Sequence, residues 1–268
     1  MQLLRLVCSP VGALLSAAFF ASSAPAALVV GNRLFVDFGK DDGTNGNAMA
    51  SPDGNGNYWN NAIYPINAVG GAGSGSNPLV TSLVDMFDEA HAATGIGLNF
   101  STGWQANGFL NGGLTSPSAA LLGDFAFGNV TGDYFFFDTS AGTPPTCSMT
   151  FTGLDPSLTY DFTIFATRAT TEVRSSLYTI TDINGTHTYD LQTSGTGIGD
   201  GGYNGNNDTF ATFSGMVPTA GGEITLVMDQ SASAFAYIGA LQMTAVPEPG
   251  GLVLSLAGLG LLLRRRRA

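Results

Sequence analysis

Basic residues are scarce in this 268-residue chain, which holds nine Lys and Arg against 20 Asp and Glu. Five of the nine bases lie near the chain ends, at Arg5 and in the run 264–267. Residues 27–246 therefore keep 19 acidic and four basic residues, a net charge of about −15. Nucleic-acid binding needs Lys and Arg to neutralise phosphates, so this composition excludes a nucleic-acid partner.

Cysteine is limited to Cys8 and Cys147. The first lies in an N-terminal segment that has one charge at Arg5, an apolar run over residues 11–20 and the pattern Ala-Pro-Ala at 24–26. This order predicts a signal peptide over residues 1–26, removed by signal peptidase, rather than a buried N-terminal helix. A mature chain with one thiol forms no internal disulfide, so its stability must come from its core.

Catalytic motifs are also absent, since the sequence has no G-x-S-x-G, no H-E-x-x-H and no phosphate-binding glycine loop. His91 and His187 belong to no nucleophile or metal pattern. Acidic neighbours such as Asp41 and Asp42 fit solvated positions better than a glycosidase pair. The sequence thus predicts a protein that is not an enzyme, with a secreted glycan-active enzyme as the alternative.

Alternating apolar and polar residues from Gly95 onward predict antiparallel strands with one buried face. The alternation is clearest in four ladders of apolar positions: 96, 98 and 100; 160, 162, 164 and 166; 224, 226 and 228; and 237, 239, 241 and 243. Asn184-Gly185 between two Thr- and Tyr-rich runs predicts a hairpin. Leu154, Pro156 and Tyr160 are spaced as in the tyrosine corners of sandwich domains. We therefore expect one all-β domain over residues 27–245, an antiparallel β-sandwich.

Two Gly-rich stretches, which include residues 40–61 and 69–78, predict long loops because their Asn-Gly, Asp-Gly and Gly-Ser pairs favour turns. After the second loop, the apolar positions 79, 83, 84 and 87 are spaced as on one face of a helix. A short helix is therefore expected over residues 79–94.

The first loop carries two candidate sites. The first candidate is a sugar site formed by Tyr58, Trp59, Asn60 and Asn61. Their aromatic faces suit the C–H groups of a sugar and their amides suit its hydroxyls. The alternative for Trp59 is packing over the core edge. Calcium-loop spacing occurs at Asp53, Asn55 and Asn57, although the glycine and the final Glu of a calcium loop are missing. Turn formation is the alternative there, so no cofactor is required and a structural Ca²⁺ remains an option.

The C-terminal segment 246–268 resembles the PEP-CTERM sorting signal of Gram-negative bacteria. It has a Pro-Glu-Pro turn, an apolar stretch over 250–263 predicted as a transmembrane helix, and a basic stop. The residues that carry the match are Pro247, Glu248, Pro249, Arg264, Arg265, Arg266 and Arg267. The resemblance implies an exosortase-type membrane enzyme as partner, a precursor anchored in the inner membrane, and delivery to the cell surface or extracellular matrix.

The body is similar to galactose-binding-like jelly-roll domains of exported bacterial proteins. The similarity is carried by Asp37-Phe38-Gly39, by the 58–61 patch, by residues 153–168 and by the closing strand at 236–243. It implies a jelly-roll sandwich that binds carbohydrate through loops at one end. The expected function is a non-catalytic surface or matrix protein that binds polysaccharide, and a self-assembling structural protein is a further alternative.

Overall fold

A computed structural model describes residues 27–64, 82–141 and 146–247. The predicted signal peptide lies outside these residues, as does the predicted sorting signal beyond Pro247. In the part of the chain that is described, no helix is long and apolar enough to cross a membrane. The α-helices α1 (Ala119–Leu122) and α2 (Gly128–Thr131) have four residues each.

Most of the regular structure consists of β-strands. In chain order they are β1 (Arg33–Lys40), β2 (Trp59–Tyr64), β3 (Ser82–Leu83), β4 (Gly97–Phe100), β5 (Gln105–Asn107), β6 (Tyr134–Asp138), β7 (Cys147–Thr152), β8 (Leu158–Phe165), β9 (Arg174–Asp182), β10 (Gly185–Ser194), β11 (Ala211–Met216), β12 (Ile224–Gln230), β13 (Phe235–Ile238) and β14 (Ala240–Pro247).

The strands form three sheets. The first has the order β11-β8-β14-β1-β2, the second β10-β9-β12-β7-β4-β3, and the third β13-β6-β5. Pairing is antiparallel except between β1 and β2, which run parallel. One apolar cluster joins the facing sides of the first two sheets, and Phe151 of β7 lies 5.4 Å from Phe162 of β8 between ring centroids. This arrangement confirms the predicted β-sandwich.

A second apolar layer covers the outer face of the first sheet. Phe35, Trp59 and Phe165 point to this face because side chains alternate along a strand. They pack against the segment 114–131, which contains α1 and α2 and contributes Leu122 and Phe125. β1 is therefore covered on both faces, which explains why all of its residues after Arg33 are buried.

Short-range sequence patterns agree with the structure at the tyrosine corner and at the hairpin. The Tyr160 hydroxyl accepts a hydrogen bond from the Asp155 backbone N–H at 2.9 Å, as a tyrosine corner requires. β9 and β10 form the predicted hairpin with Asp182 opposite Gly185, so the connecting residues are 183 and 184. The Asp182 carboxylate accepts the N–H groups of Asn184 and Gly185, which closes the turn.

The helix predicted over residues 79–94 is wrong for its described part. Residues 82–83 form β3, and the rest is an irregular hairpin closed by a bridge between Phe87 and Ala93. Asp88 accepts the N–H groups of Ala90 and Ala92, while Asp85 and His91 have positive φ angles of 50° and 66°. Aspartate side chains that bond nearby backbone compete with the helix, and here they prevail over the apolar spacing.

Two further boundaries differ from the sequence-based expectation. The last ladder is not one strand, because Gly239 separates β13 in the third sheet from β14 in the first. Gly239 donates to the Phe165 carbonyl and accepts from the Phe38 N–H, which places it at the junction of the sheets. At its end β14 pairs Pro247 with Leu158, so the sandwich extends two residues beyond the predicted limit of 245.

Candidate functional site

Trp59 is buried inside the protein and does not form an exposed platform for a sugar. It lies at the start of β2, not in a loop as predicted, and its side chain is 5% exposed. Its ring is 4.8 Å from Phe35 and 6.0 Å from Phe125 between centroids, and its indole N–H donates to Asp53 Oδ2 at 2.8 Å. The ring and the indole N–H of Trp59 thus both have partners inside the protein, which agrees with the alternative that Trp59 packs over the core edge.

The two asparagines after Trp59 also lie in β2, an edge strand, and hold neighbouring segments to it. The Asn60 amide donates to the Phe35 and Phe87 carbonyls at 2.9 and 2.8 Å and accepts from the Phe87 N–H at 2.9 Å. Asn61 forms a similar pair of bonds with the backbone of Met49. These amides fix the 82–95 hairpin and the 41–58 loop beside the sheet.

Asp53, Asn55 and Asn57 form a turn. Asp53 Oδ1 accepts the N–H groups of Asn55 and Asn57 at 2.8 and 2.9 Å, and Oδ2 accepts from Trp59. The Asp53 carboxylate, which is 8% exposed, therefore faces N–H donors. No group of three or more His, Cys, Asp or Glu in the described ranges is arranged to hold a metal ion.

An ionic cluster surrounds Arg33 at the start of β1. The Arg33 guanidinium donates to the Glu89 and Asp124 carboxylates, and to Asn57 Oδ1 at 3.3 Å. Asn55 also donates to Asp124, at 3.1 Å. Burial opposes the charge of Arg33, but the hydrogen bonds and charges of Asp124 and Glu89 outweigh it and raise the pKa of Arg33. Both carboxylates of the cluster are paired with the one guanidinium, which fixes the three side chains in position.

Beside this cluster lies an aromatic patch formed by Tyr58, Phe87 and His91. The Tyr58 and His91 rings stack at 4.1 Å with 7° between their planes, and Phe87 lies 4.6 Å from His91. His91 is exposed, Phe87 is 39% exposed and Tyr58 is half-buried. Of the four residues predicted to contact sugar, Tyr58 is the one that contributes to this surface.

Backbone hydrogen bonds hold the aromatic patch in place. The Tyr58 N–H donates to the Glu89 carbonyl at 3.1 Å, and the Glu89 N–H donates to the Arg33 carbonyl at 2.8 Å. His91 sits at the tip of the Asp88 turn with φ of 66°, a conformation that is uncommon for residues with a side chain. The sequence-based prediction missed Phe87 and His91 because it assigned them to a helix.

A pair of buried carboxylates, Asp37 and Asp133, was not predicted either. Their side chains are 2% and 1% exposed. Burial, opposed by the Met49 N–H and reinforced by the charge of Asp41, raises the pKa of Asp37 to about 8. The one signal in the sequence was a charged residue within the apolar stretch 34–38, and nothing in the sequence pairs it with Asp133.

Of the predicted sorting residues, Pro247 ends β14. The other six, Glu248, Pro249 and Arg264 to Arg267, lie outside the described residues, as does the predicted helix over 250–263. The predicted sorting signal therefore stays a prediction.

Comparisons with known proteins gave structural neighbours only, because no family model and no curated protein matches the chain. The family 32 carbohydrate-binding module of C. perfringens NanJ, solved with galactose, is 14% identical over 55% of this chain and 93% of its own, with a TM-score of 0.27. TmCBM61, solved with β-1,4-galactotriose, is 10% identical over 56% of this chain and 88% of its own, with a TM-score of 0.27. A further family 32 module from Clostridium perfringens, solved with GalNAc-β-1,3-galactose, is 12% identical with a TM-score of 0.26 over 55% of this chain and 94% of its own. No site residue or ligand is transferred from similarity at this level.

Proposed function

We propose that this chain is an exported, non-catalytic surface or extracellular-matrix protein that binds polysaccharide through the aromatic patch. The observation that supports binding is the patch itself, in which an exposed His91 and a partly exposed Phe87 flank Tyr58. Aromatic rings present an apolar face that suits the C–H side of a pyranose, and neighbouring polar groups suit its hydroxyls. The adjoining Arg33 cluster contains such groups, among them the Glu89 carboxylate and the Asn55 amide.

The rigidity of the aromatic patch favours ligand binding over a passive surface role. Its backbone is bonded to β1 and its rings stack on one another, so little side-chain freedom is lost when a ligand is held. The adjoining charges are paired between Arg33, Glu89 and Asp124. A neutral sugar therefore fits this surface better than a strongly charged one.

Retention of the full-length protein on a panel of insoluble polysaccharides tests the binding proposal. We expect wild type to be retained on at least one polysaccharide and Tyr58→Ala and Phe87→Ala to be released from it. Tyr189→Ala is the matched control, because Tyr189 is a partly exposed tyrosine on β10, packed near Phe213 and outside the patch. Equal retention of wild type and both patch variants, or no retention of any protein, overturns binding at the patch.

The same panel tests the non-catalytic part of the proposal. Purified wild type should release no soluble sugar from any polysaccharide over long incubation. Release that persists across independent preparations would favour the glycan-active enzyme instead. Concentration-dependent polymers in sedimentation velocity would favour the self-assembling alternative.

Delivery to the surface rests on the resemblance of residues 246–268 to a PEP-CTERM signal. Replacing Arg264 to Arg267 by Ser, or Pro249 by Ala, should leave the thermal unfolding of the sandwich unchanged and prevent surface delivery in a Gram-negative host that has an exosortase. Pro249 is preferable to Pro247 for this test because Pro247 pairs with Leu158 in the sheet. Normal delivery of both variants would refute the sorting proposal.

A further inference from the structure

β10 is the longest edge strand of the described structure, and its outer side is open. It has ten residues, Gly185–Ser194, and no strand in the described ranges pairs with it on the side away from β9. It contains no Pro and no Lys, and its pairing with β9 is regular until the shift between Gln192 and Ser194. A long, regular edge is a template for pairing with another chain, because its outward N–H and C=O groups lack partners.

The other sheet edges in the described part of the chain are short, irregular or covered. β3 and β5 have two and three residues. β11 has six, and its pairing with β8 shifts register within that length. β2 is covered by the 41–58 loop and the 82–95 hairpin, which its asparagines hold. In β13 the Tyr237 N–H donates to Ser176 Oγ at 2.7 Å. Natural proteins protect sheet edges by such means, which leaves β10 as the unprotected edge.

The hydrogen bonds of β9 show which backbone groups of β10 point outward. The Ser231 N–H donates to the Ser175 carbonyl at 3.2 Å, so the backbone of Ser175 is directed towards β12. Because this direction alternates along an antiparallel strand, Ser176 and every second residue after it bond β10. Their partners on β10 are Leu191, Tyr189 and His187. The exposed residues of β10 with outward N–H and C=O groups are therefore Thr186, Thr188 and Asp190.

We propose that β10 pairs with β10 of a second copy of this chain, antiparallel and about a two-fold axis at Thr188. The two six-stranded sheets then form one continuous sheet. With Thr188 opposite itself, Thr186 of each copy lies opposite Asp190 of the other. His187 likewise lies opposite Tyr189. In this register outward backbone groups meet outward groups, and one self-complementary strand is all that a two-fold interface needs.

The charges on and beside β10 favour a second copy in this register. Asp190 is the one acidic residue of β10, and it faces a Thr186 hydroxyl rather than another carboxylate. Like charges directly opposite destabilise a sheet, whereas Thr–Thr and aromatic pairs stabilise it. On β9, Thr181 and Thr179 lie opposite Thr186 and Thr188, so the outer face at the centre of the interface is uncharged. Two acidic bodies can therefore meet at β10 without bringing their carboxylates together.

The interface is small, because it consists of one pair of strands over residues 185–191. We therefore expect a dimer that dissociates on dilution, as weak interfaces do. Each body carries a net charge of about −15, which opposes association at low salt. At an ionic strength of 0.15 M the Debye length is about 8 Å, so this long-range repulsion is screened. Side chains directly opposite each other, about 5 Å apart, still interact under these conditions.

Sedimentation velocity of the full-length protein at 0.15 M NaCl, in a dilution series from the highest soluble concentration, tests the proposal. Wild type should change reversibly from dimer to monomer. Thr188→Lys places two ammonium groups opposite each other, and we expect it to raise the dissociation constant at least about tenfold. The matched control is Thr186→Lys, which adds the same charge to the same exposed face but opposite Asp190. It should dimerise at least as tightly as wild type.

A third variant tests the backbone contact without a change of charge. Thr188→Pro removes an outward N–H and leaves the ladder with β9 intact, because proline is tolerated on an edge strand where the N–H faces solvent. It should also prevent dimerisation. Thermal unfolding of all three variants checks that the sandwich is retained, and the pair of Lys variants decides the question even if Thr188→Pro fails to fold.

Three results would overturn the proposal. Wild type could remain a monomer throughout the series. Thr188→Lys could associate as strongly as wild type, which would place the contact elsewhere, for example in the predicted terminal segments 1–26 and 246–268. Equal weakening by both Lys variants would contradict the two-fold register at Thr188. None of these readouts depends on polysaccharide binding, so their failure and that of the proposed function are distinguishable.

Discussion

The two ends of β1 handle charge in opposite ways. At its start, Arg33 is shared by Glu89 and Asp124 near the surface, so that one cation meets two carboxylates. Towards its end, Asp37 and Asp133 are buried and meet no basic side chain of the described structure. The first end lies beside the exposed aromatic patch, whereas the second lies where Gly39 leaves room for the Asp133 carboxylate.

This difference separates two roles. The Arg33 end is complete within the chain, so its charges can hold the 82–95 hairpin and the aromatic patch in a fixed position without a ligand. The Asp37 end is incomplete, because its two Oδ1 atoms lack partners. The surface that we propose binds a sugar and a buried pair of carboxylates thus lie along one strand, and each can be altered separately.

The largest expected effect is that of Trp59→Ala. The Trp59 ring packs beside Phe35 of β1, which lies between Arg33 and Asp37. Trp59 packs on Phe35 and Phe125 and donates to Asp53, so the variant leaves a cavity and removes the shorter of the two hydrogen bonds to Asp53 Oδ2. We expect it to lower the free energy of unfolding by about 3–5 kcal/mol. Chemical denaturation should reveal this loss, while the adjacent Tyr58→Ala should cost far less. Equal costs for both would contradict the assignment of Trp59 to the core.

The second largest loss of stability is expected for Gly39→Ala, close to Asp37 on β1. The added methyl group would lie 2.2 Å from the Asp133 carboxylate, and overpacking of this kind costs about 1–3 kcal/mol. Asp133→Ala in the same background should restore part of the loss, because it removes the group that collides. Additive losses in the double variant would show that Gly39 and Asp133 do not touch.

The Asp37 end should also make stability depend on pH, because its carboxyl group is buried. Burial raises the pKa of Asp37 from 3.8 to about 8, so the folded state holds a proton that the unfolded state releases. This contribution is complete below the unfolded pKa and is lost as pH rises through about 8. The Tm should therefore fall between pH 5 and pH 8 for wild type and fall less for Asp37→Asn. Parallel curves for the two proteins would contradict the raised pKa.

The smallest effect is expected for Arg33→Met at the other end. It leaves Glu89 and Asp124 without their cation, but the side chains of all three residues are between 24% and 32% exposed. Water and salt screen such charges, so we expect a loss of about 1 kcal/mol or less. The loss should shrink further in 1 M NaCl. A loss as large as that of Trp59→Ala would show that Arg33 contributes as much to stability as a core residue.

Sequence patterns predicted features that depend on neighbouring residues. The Tyr160 corner and the Asp182–Gly185 hairpin are settled within a few positions, and both were found. The helix over 79–94 failed because the Asp85 and Asp88 carboxylates bond local backbone instead. Apolar spacing alone does not report such competition.

The candidate sites were harder to predict because they join distant segments. Trp59, Asn60 and Asn61 are residue types that are common in sugar sites. The parallel pairing of β1 with β2 nevertheless buries Trp59 beside Phe35. Lys40 and the buried Asp133, whose carboxylate accepts the Lys40 N–H, are 93 residues apart. Only the fold brings these residues together, so their roles could be inferred only from the structure.

Binding at the aromatic patch is tested most directly by calorimetric titration of a soluble fragment of the retained polysaccharide. We predict that Tyr58→Ala weakens binding about tenfold, which corresponds to about 1.4 kcal/mol, the scale of one aromatic contact. Asp133→Asn should bind within about twofold of wild type, because its site lies at the other end of β1. Unchanged affinity in Tyr58→Ala, or an equal loss in Asp133→Asn, would contradict the division of β1 into a sugar-binding end and a buried carboxylate end.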